Sequence, residues 1–217
     1  MVGFFRVKAL DARKEIMALI KAIVWDIGGV LMRTEDPTPR AELAAELGLR
    51  REELVELVFG GKQGRQAQIG ALTQKELWDF VRSELKLESD DYPDLERRFF
   101  GGDILDRKLV NFVRTLKPAY KTGIISNAWS ELPDILEEWG ILDAFDVVVG
   151  SGDEGVMKPD PRIFQIALDQ LSVAPEESVF VDDFIENVES ARNLGMQAVH
   201  FESREQTLRE LQKLLNI

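Results

Sequence analysis

Short apolar runs closed by a polar residue alternate along much of this chain with stretches whose apolar positions recur every three or four residues. Ala22–Trp25, residues 120–126, Val147–Gly150, Ser178–Asp182 and residues 198–201 read as strands, the inner ones buried on both faces. Residues 106–116, 130–139, Pro161–Leu171, 187–194 and the run from Ser203 through Leu208, Leu211 and Leu215 carry helical spacing. Pro118, Gly140 and Gly195 stand where three of these helices should stop. Alternating strands and helices predict a parallel sheet with right-handed crossovers, an α/β fold. From Leu31 to about Leu105 the strand signal vanishes. Thr38-Pro39 reads as an N-cap with proline at the first helical position, and Gly48 as the terminator. Arg51–Phe59 forms a second helix ending at Gly60-Gly61. Thr73 and Glu76 make a capping box opening a third, and residues 93–100, closed by Gly101-Gly102, a fourth. The pattern predicts an α-helical insertion (34–104) within an α/β core (21–33 and 105–217).

Candidate chemistry gathers where the apolar runs end. Asp26 follows Trp25 and is followed by Gly28-Gly29, which permit a tight turn and close approach of a ligand to the main chain. Ser126-Asn127 closes the second run, Lys158 stands before a proline-initiated helix, and Asp182-Asp183 closes a later strand ahead of Asn187. Open α/β sheets bind ligands beyond the carboxyl ends of their strands, so all four fall where chemistry is expected. A strand-end Asp, an Asp pair serving as a helix cap, or a solvated lysine would each be unremarkable alone.

The set and order of these motifs, with the wording Lys158-Pro-Asp-Pro-Arg-Ile-Phe164, resemble the haloacid dehalogenase (HAD) superfamily, in the subfamily whose helical cap is inserted after the first motif. The resemblance spans residues 23 to about 201. It implies a Rossmann-like sheet of order 5-4-1-2-3 and a helical cap. It also implies Asp26 as nucleophile, Ser126 and Lys158 as catalytic partners, and Mg²⁺ held by Asp26, the Gly28 carbonyl and Asp183. Asp182 would orient the site, pair with Lys158 or coordinate. Gly29, Ser126, Asn127 and Lys158 would contact the phosphate. Chemically, a carboxylate can accept a phosphoryl group and lose it to water, and Lys158 with a hard cation would offset the repulsion between anions.

One position departs from that family. Most of its phosphatases carry a second Asp, a general acid, where this chain has Gly28. A general acid is typically worth ~10²–10⁴-fold in rate. Phosphomonoester hydrolysis, 2-haloacid dehalogenation and a binding protein with lost turnover all stay open on this point, the acid pair favouring phosphate. A receiver domain also combines an Asp, a hydroxyl, Lys-Pro and an acid pair, but in a different order and without a helical insertion. Gly60-Gly-Lys-Gln-Gly-Arg65 reads as a glycine-rich basic loop of the insertion, Arg65 a candidate for the leaving group. Trp129 either faces the pocket or staples its helix. The lone His200, outside all four motifs, is expected to be structural.

Charge narrows the partners. Lys and Arg total 27 against 39 Asp and Glu, a net charge of −12. That argues against a nucleic-acid or anionic membrane partner, while a small phosphorylated metabolite is compatible through a local lysine and cation. There is no cysteine, hence neither disulfide nor thiolate chemistry. No apolar run approaches the 18 or so residues of a membrane span, and the reading is a cytoplasmic monomer or homodimer. Residues 1–20, with a broken helical stripe, are expected to be a peripheral extension carrying an extra helix, Met17 being an alternative start.

Overall fold

The computed structural model describes residues 19–88 and 91–215. β1 (Ala22–Trp25) and β2 (Met32–Thr34) are followed by α1 (Thr38–Glu46), α2 (Arg51–Phe59), α3 (Gly61–Gln68), α4 (Gln74–Glu84), α5 (Leu95–Phe99) and β3 (Asp103–Leu105). Then come α6 (Arg107–Leu116), β4 (Lys121–Ser126), α7 (Leu132–Glu138), β5 (Val147–Gly150), the one-turn α8 (Ser151–Glu154) and α9 (Pro161–Leu171). β6 (Ser178–Asp182), α10 (Ile185–Leu194), β7 (Gln197–His200) and α11 (Arg204–Leu215) complete the chain. Apart from Leu19 and Ile20, the expected N-terminal extension lies outside the described residues.

Five parallel strands form the main sheet in the order β5-β4-β1-β6-β7. Renumbering the sheet strands alone along the chain and reading from the β7 edge gives 5-4-1-2-3; β2 and β3, which belong elsewhere, account for the offset in labels. β1 is central and fully buried, and its side chains alternate between two cores as the pleat demands. Ile23 and Trp25 face α6, α7 and α11 through Leu109, Val113, Leu136 and Leu211. Ala22 and Val24 face α9 and α10 through Phe164, Leu168 and Ala191. Burying each such large apolar side chain is worth about 1.5–3 kcal/mol.

The helical insertion builds a third core of its own. Leu43, Leu54, Val58, Leu77, Trp78, Val81, Leu95 and Phe99 pack together from α1, α2, α4 and α5. The Thr73 capping box forms as the sequence requires, Thr73 Oγ1 accepting from the Glu76 amide and Glu76 from the Thr73 amide. Two local readings are corrected. α1 begins at Thr38 with Pro37 in the cap position, and Asp36 rather than Thr38 supplies the capping oxygen, taking the Thr38 amide at 2.9 Å. The stretch from Gly61 is the helix α3, not a loop. Glu56 accepts the Gly61 amide, Gln68 bonds the Phe59 carbonyl, and a Cβ on Gly64 would lie 2.6 Å from the Phe59 carbonyl carbon. Glycine there lets α2 and α3 approach.

Insertion and core are joined by an antiparallel pair, β2 with β3, where the sequence showed no strand. Arg40, buried on α1, clamps it. Its Nη2 reaches both Asp103 oxygens at 2.9 and 3.1 Å, its Nε donates to the Phe99 carbonyl, and its guanidinium lies over the Phe99 ring. Asp106 anchors the other side. It caps α6 through the Lys108 and Leu109 amides and receives Arg33 and Arg204 at 2.8 and 2.9 Å. No described helix is long and apolar enough to cross a membrane.

Candidate active site

Strand register brings the sequence motifs together. Trp25 pairs with Ile124 of β4 and Val181 of β6, and the Asp26 amide donates to the Val181 carbonyl at 2.9 Å. Asp26, Ser126 and Asp182 therefore sit at one edge of the sheet, within a residue of the same level. All three are buried: Asp26 is 5%, Ser126 5% and Asp182 0% exposed.

Lys158 bridges the two carboxylates. Its Nζ lies 2.7 Å from Asp26 Oδ1 and 2.7 Å from Asp182 Oδ2, with the side chain 1% exposed. Asn127 fixes the lysine's backbone from both sides, its Oδ1 accepting the Lys158 amide at 2.8 Å and its Nδ2 donating to the Lys158 carbonyl at 3.0 Å. The Asn127 side chain is thus spent on holding Lys158, which the sequence pattern did not reveal. Asp182 is fully engaged as well. Oδ1 takes the Phe184 amide at 2.8 Å, and Asn187 Nδ2 reaches both oxygens at 3.0 and 3.1 Å. The acid pair does not cap α10: of the main-chain amides there Asp182 takes only that of Phe184, the residue at the cap position, and no side chain caps the first turn.

Charge at this edge is unbalanced. Carboxylate oxygens of Asp26, Asp182 and Asp183 lie within 4.8 Å of one another, against the single ammonium of Lys158. Burial pushes the Asp26 carboxyl up to about 7, Lys158 pulling it down and Asp182 adding to the rise. Burial, and then Asp182, also raise Asp183. Asp183 Oδ1 is buried without a hydrogen-bond partner. An orphaned carboxylate oxygen among crowded acids is the environment a hard divalent cation with oxygen ligands satisfies. The residues present fit such an ion, with Asp26 and Asp183 as carboxylate donors.

The glycines after Asp26 differ in their constraints. Gly29 has φ +79°, and a Cβ there would fall 2.1 Å from Asp183 Oδ2. Any side chain would collide with the acid. Gly28 is exposed, and a Cβ would meet nothing within 4 Å.

Other expectations change. His200 is remote from the motifs in sequence, yet it pairs with Asp182 across β6–β7, and its Nε2 lies 2.9 Å from the Asp183 carbonyl. It supports the acid pair's backbone. Trp129 stacks on Phe59 at 6.0 Å and meets Trp78 and Phe100 edge-on, packing against the insertion's core. Ser151 Oγ donates to the Gln68 carbonyl, a second link between core and insertion. Arg65 is exposed on α3, and no contact connects it to the acids.

Residues 20–195 match the model described as "Hydrolase: haloacid dehalogenase-like hydrolase", and the chain belongs to that family of enzymes. Drimenol cyclase drtB of Aspergillus calidoustus is 29% identical over 198 residues, 89% of this chain, and the chain spans 36% of that protein's length. Sesquiterpene phosphatase astK of Aspergillus oryzae is 26% identical over 201 residues, 90% of this chain and 96% of that one. The HAD family enzyme bt-2542 of Bacteroides thetaiotaomicron, solved with magnesium and inorganic phosphate, superposes with a TM-score of 0.70 at 22% identity. It covers 88% of this chain and 100% of that one, a likeness of fold.

Proposed function

We propose that this hydrolase is a Mg²⁺-dependent phosphatase that cleaves a small phosphomonoester through an aspartyl-phosphate on Asp26. The observation that carries the reading is the Asp26–Lys158–Asp182 bridge with the partnerless Asp183 oxygen beside it. Displacement of halide by a carboxylate needs no cation, so acids arranged to hold one favour phosphate. Relatives lend support: astK is named a phosphatase, and bt-2542 holds magnesium and phosphate.

Asp26 Oδ2, the oxygen not bonded to Lys158, attacks phosphorus. Lys158 favours the ionised carboxylate and fixes its position, and Asp182 and Asn127 hold Lys158 in place. The Ser126 hydroxyl and the main-chain amides beyond β4 bind the non-bridging phosphate oxygens. Asp26, Asp183 and the Gly28 carbonyl would hold Mg²⁺, which would supply positive charge to the transferring group. Water then cleaves the aspartyl-phosphate and restores the carboxylate. The insertion, latched to the core by Ser151 and Trp129, shields the site from bulk water during the first step.

Phosphate release from p-nitrophenyl phosphate tests the reading. Release is expected with Mg²⁺, and is expected to disappear with chelator and in Asp26→Asn. Full activity in that variant refutes the nucleophile, and no release under any condition refutes the phosphatase.

A further inference from the structure

Ser151 is a buried hydroxyl that the phosphoryl chemistry does not use, and it stands where the insertion, the loop after β4 and α8 meet. It is 0% exposed, at the first position of α8. Its Oγ donates to the Gln68 carbonyl of the insertion and accepts the Ala128 amide of the core at 3.1 Å. The Gln68 carbonyl lies in the last turn of α3, where helices leave such groups without an amide. The Ala71 and Leu72 amides, which would reach it if the helix continued, turn to Gln66 instead. Backbones close on one another around this bond. Gly70 has φ +71°, and a Cβ there would fall 2.0 Å from the Gly152 carbonyl oxygen. A Cβ on Gly152 would in turn lie 2.5 Å from the Ser130 nitrogen.

The loop after β4 is tied down at every residue from Asn127 to Ser130. Asn127 is closed on the Lys158 backbone. Ala128 gives its amide to Ser151, and its carbonyl takes the Gly152 amide at 3.0 Å. Trp129 packs on Phe59 and Trp78 of the insertion, and Ser130 Oγ donates to the Gly152 carbonyl at 3.2 Å. A continuous path thus runs from the insertion to the buried lysine through Gln68, Ser151, Ala128, Asn127 and Lys158. Every link in it is a hydrogen bond except the peptide bond joining Asn127 to Ala128.

We propose that Ser151 is a positioning residue that couples the seating of the helical insertion to the placement of Lys158, so that the lysine is locked between Asp26 and Asp182 only while the insertion rests on the core. The inference goes beyond the phosphatase reading and takes from it only the catalytic role of Lys158. A serine hydroxyl has one proton and a free rotor. The Gln68 carbonyl claims that proton and so fixes the rotor, which aims the oxygen's lone pair at the Ala128 amide. Ala128 held in this way keeps Asn127 where both ends of its side-chain amide reach the Lys158 backbone. Lifting the insertion removes the Gln68 carbonyl and the aromatic seat of Trp129 together, which frees the loop that holds the lysine. Contiguity alone does not establish coupling between sites, so the test measures the coupling itself.

Reaction of the lysines with an amine reagent, read by mass spectrometry, reports on Lys158 without any need for turnover, the exposed Lys75 serving as internal standard. Lys158, its side chain 1% exposed between two acids, should react slowly in the wild-type protein. In Ser151→Ala it should react about 10-fold faster, the equivalent of one buried hydrogen bond. Gly70→Ala, whose methyl group drives the Gly70 turn off Gly152, should do the same. With p-nitrophenyl phosphate, Ser151→Ala should lose about 10-fold in kcat with KM little changed. In an Asn127→Ala background the same substitution should cost nothing further, because both cut one path. A serine that only stabilises the fold would give losses that multiply. Wild-type labelling of Lys158 in a folded Ser151→Ala protein overturns the proposal, and so do multiplying losses. If that variant does not fold, the labelling rate in Gly70→Ala decides in the same way. No phosphate from the wild-type protein refutes instead the phosphatase reading, and the labelling rates still decide the coupling.

Discussion

Replacing Lys158 by Met removes the ammonium while keeping much of the side-chain volume, and its consequence follows from the site's electrostatics. Two buried carboxylates, each 2.7 Å from the lost nitrogen, then face each other with no cation between them. Removing one partner of a buried ion pair typically costs about 3–5 kcal/mol. The two pairs share Lys158, so their losses do not add. The cluster has one means of relief, which is to bind a proton. Burial already raises the Asp26 carboxyl to about 7 while Lys158 pulls it down, and without Lys158 it rises further. An unfolded Asp titrates near 3.9. Between that value and the raised folded one, the folded state binds more protons than the unfolded, so stability falls as pH rises. Wild-type Asp26 itself titrates near 7, so the two proteins differ in bound protons only above that value, and the variant's deficit should be larger at pH 8 than at pH 5 by about 1.4 kcal/mol. Mg²⁺ should recover part of it at pH 8. Urea unfolding of wild-type and Lys158→Met protein at both pH values, with and without Mg²⁺, measures this directly. An equal deficit at pH 5 and pH 8 would refute the reasoning.

Gly29→Ala places a methyl group on Asp183 and strains a residue at φ +79°. Mg²⁺ affinity, read from the metal-dependent rise in thermal midpoint, should weaken by at least ~10-fold, the effect of disturbing a ligand's support. Asp106→Ala removes the α6 cap and the anchor for Arg33 and Arg204. The loss should be about 2 kcal/mol at pH 7, roughly half from the cap, since both arginines are partly exposed and their ion pairs screened. Burial alone would raise the Asp106 carboxyl, but bonds from Arg33, the Leu109 amide and Arg204 together hold it below its ordinary 3.8. A depressed carboxylate stabilises above its unfolded pKa and stops doing so as pH falls through the folded one. The wild-type advantage over Asp106→Ala should accordingly persist at pH 5 and shrink below about pH 4, followed by urea titration.

Much of the core was legible along the chain because parallel strands buried on both faces leave unbroken apolar runs, and a polar residue ending such a run stands out. Asp26, Ser126 and Asp182 were found this way, and the capping box at Thr73 needed only its own four residues. The antiparallel pair β2–β3 was not legible. Its three-residue strands carry no period, and their hydrogen bonds join residues about seventy positions apart. α3 was hidden by its glycines, which argue locally against helix; the closeness of Gly64 to Phe59, decided by packing, outweighs that preference. Asn127 stood out at the end of its apolar run, but its hold on Lys158, like the contact of His200 with Asp183, had no local signal, since these arise from the meeting of the β4 and Lys158 loops and from the β6–β7 register. By itself the sequence determined the alternation of elements, the helical insertion and the residue types waiting at the strand ends, because these depend on period and on neighbours within a turn. Tertiary structure alone decided that Lys158 bridges two acids, that Asp183 keeps an unpaired oxygen and that the place beside Gly28 stands open, because charge balance, burial and free space exist only once distant segments meet.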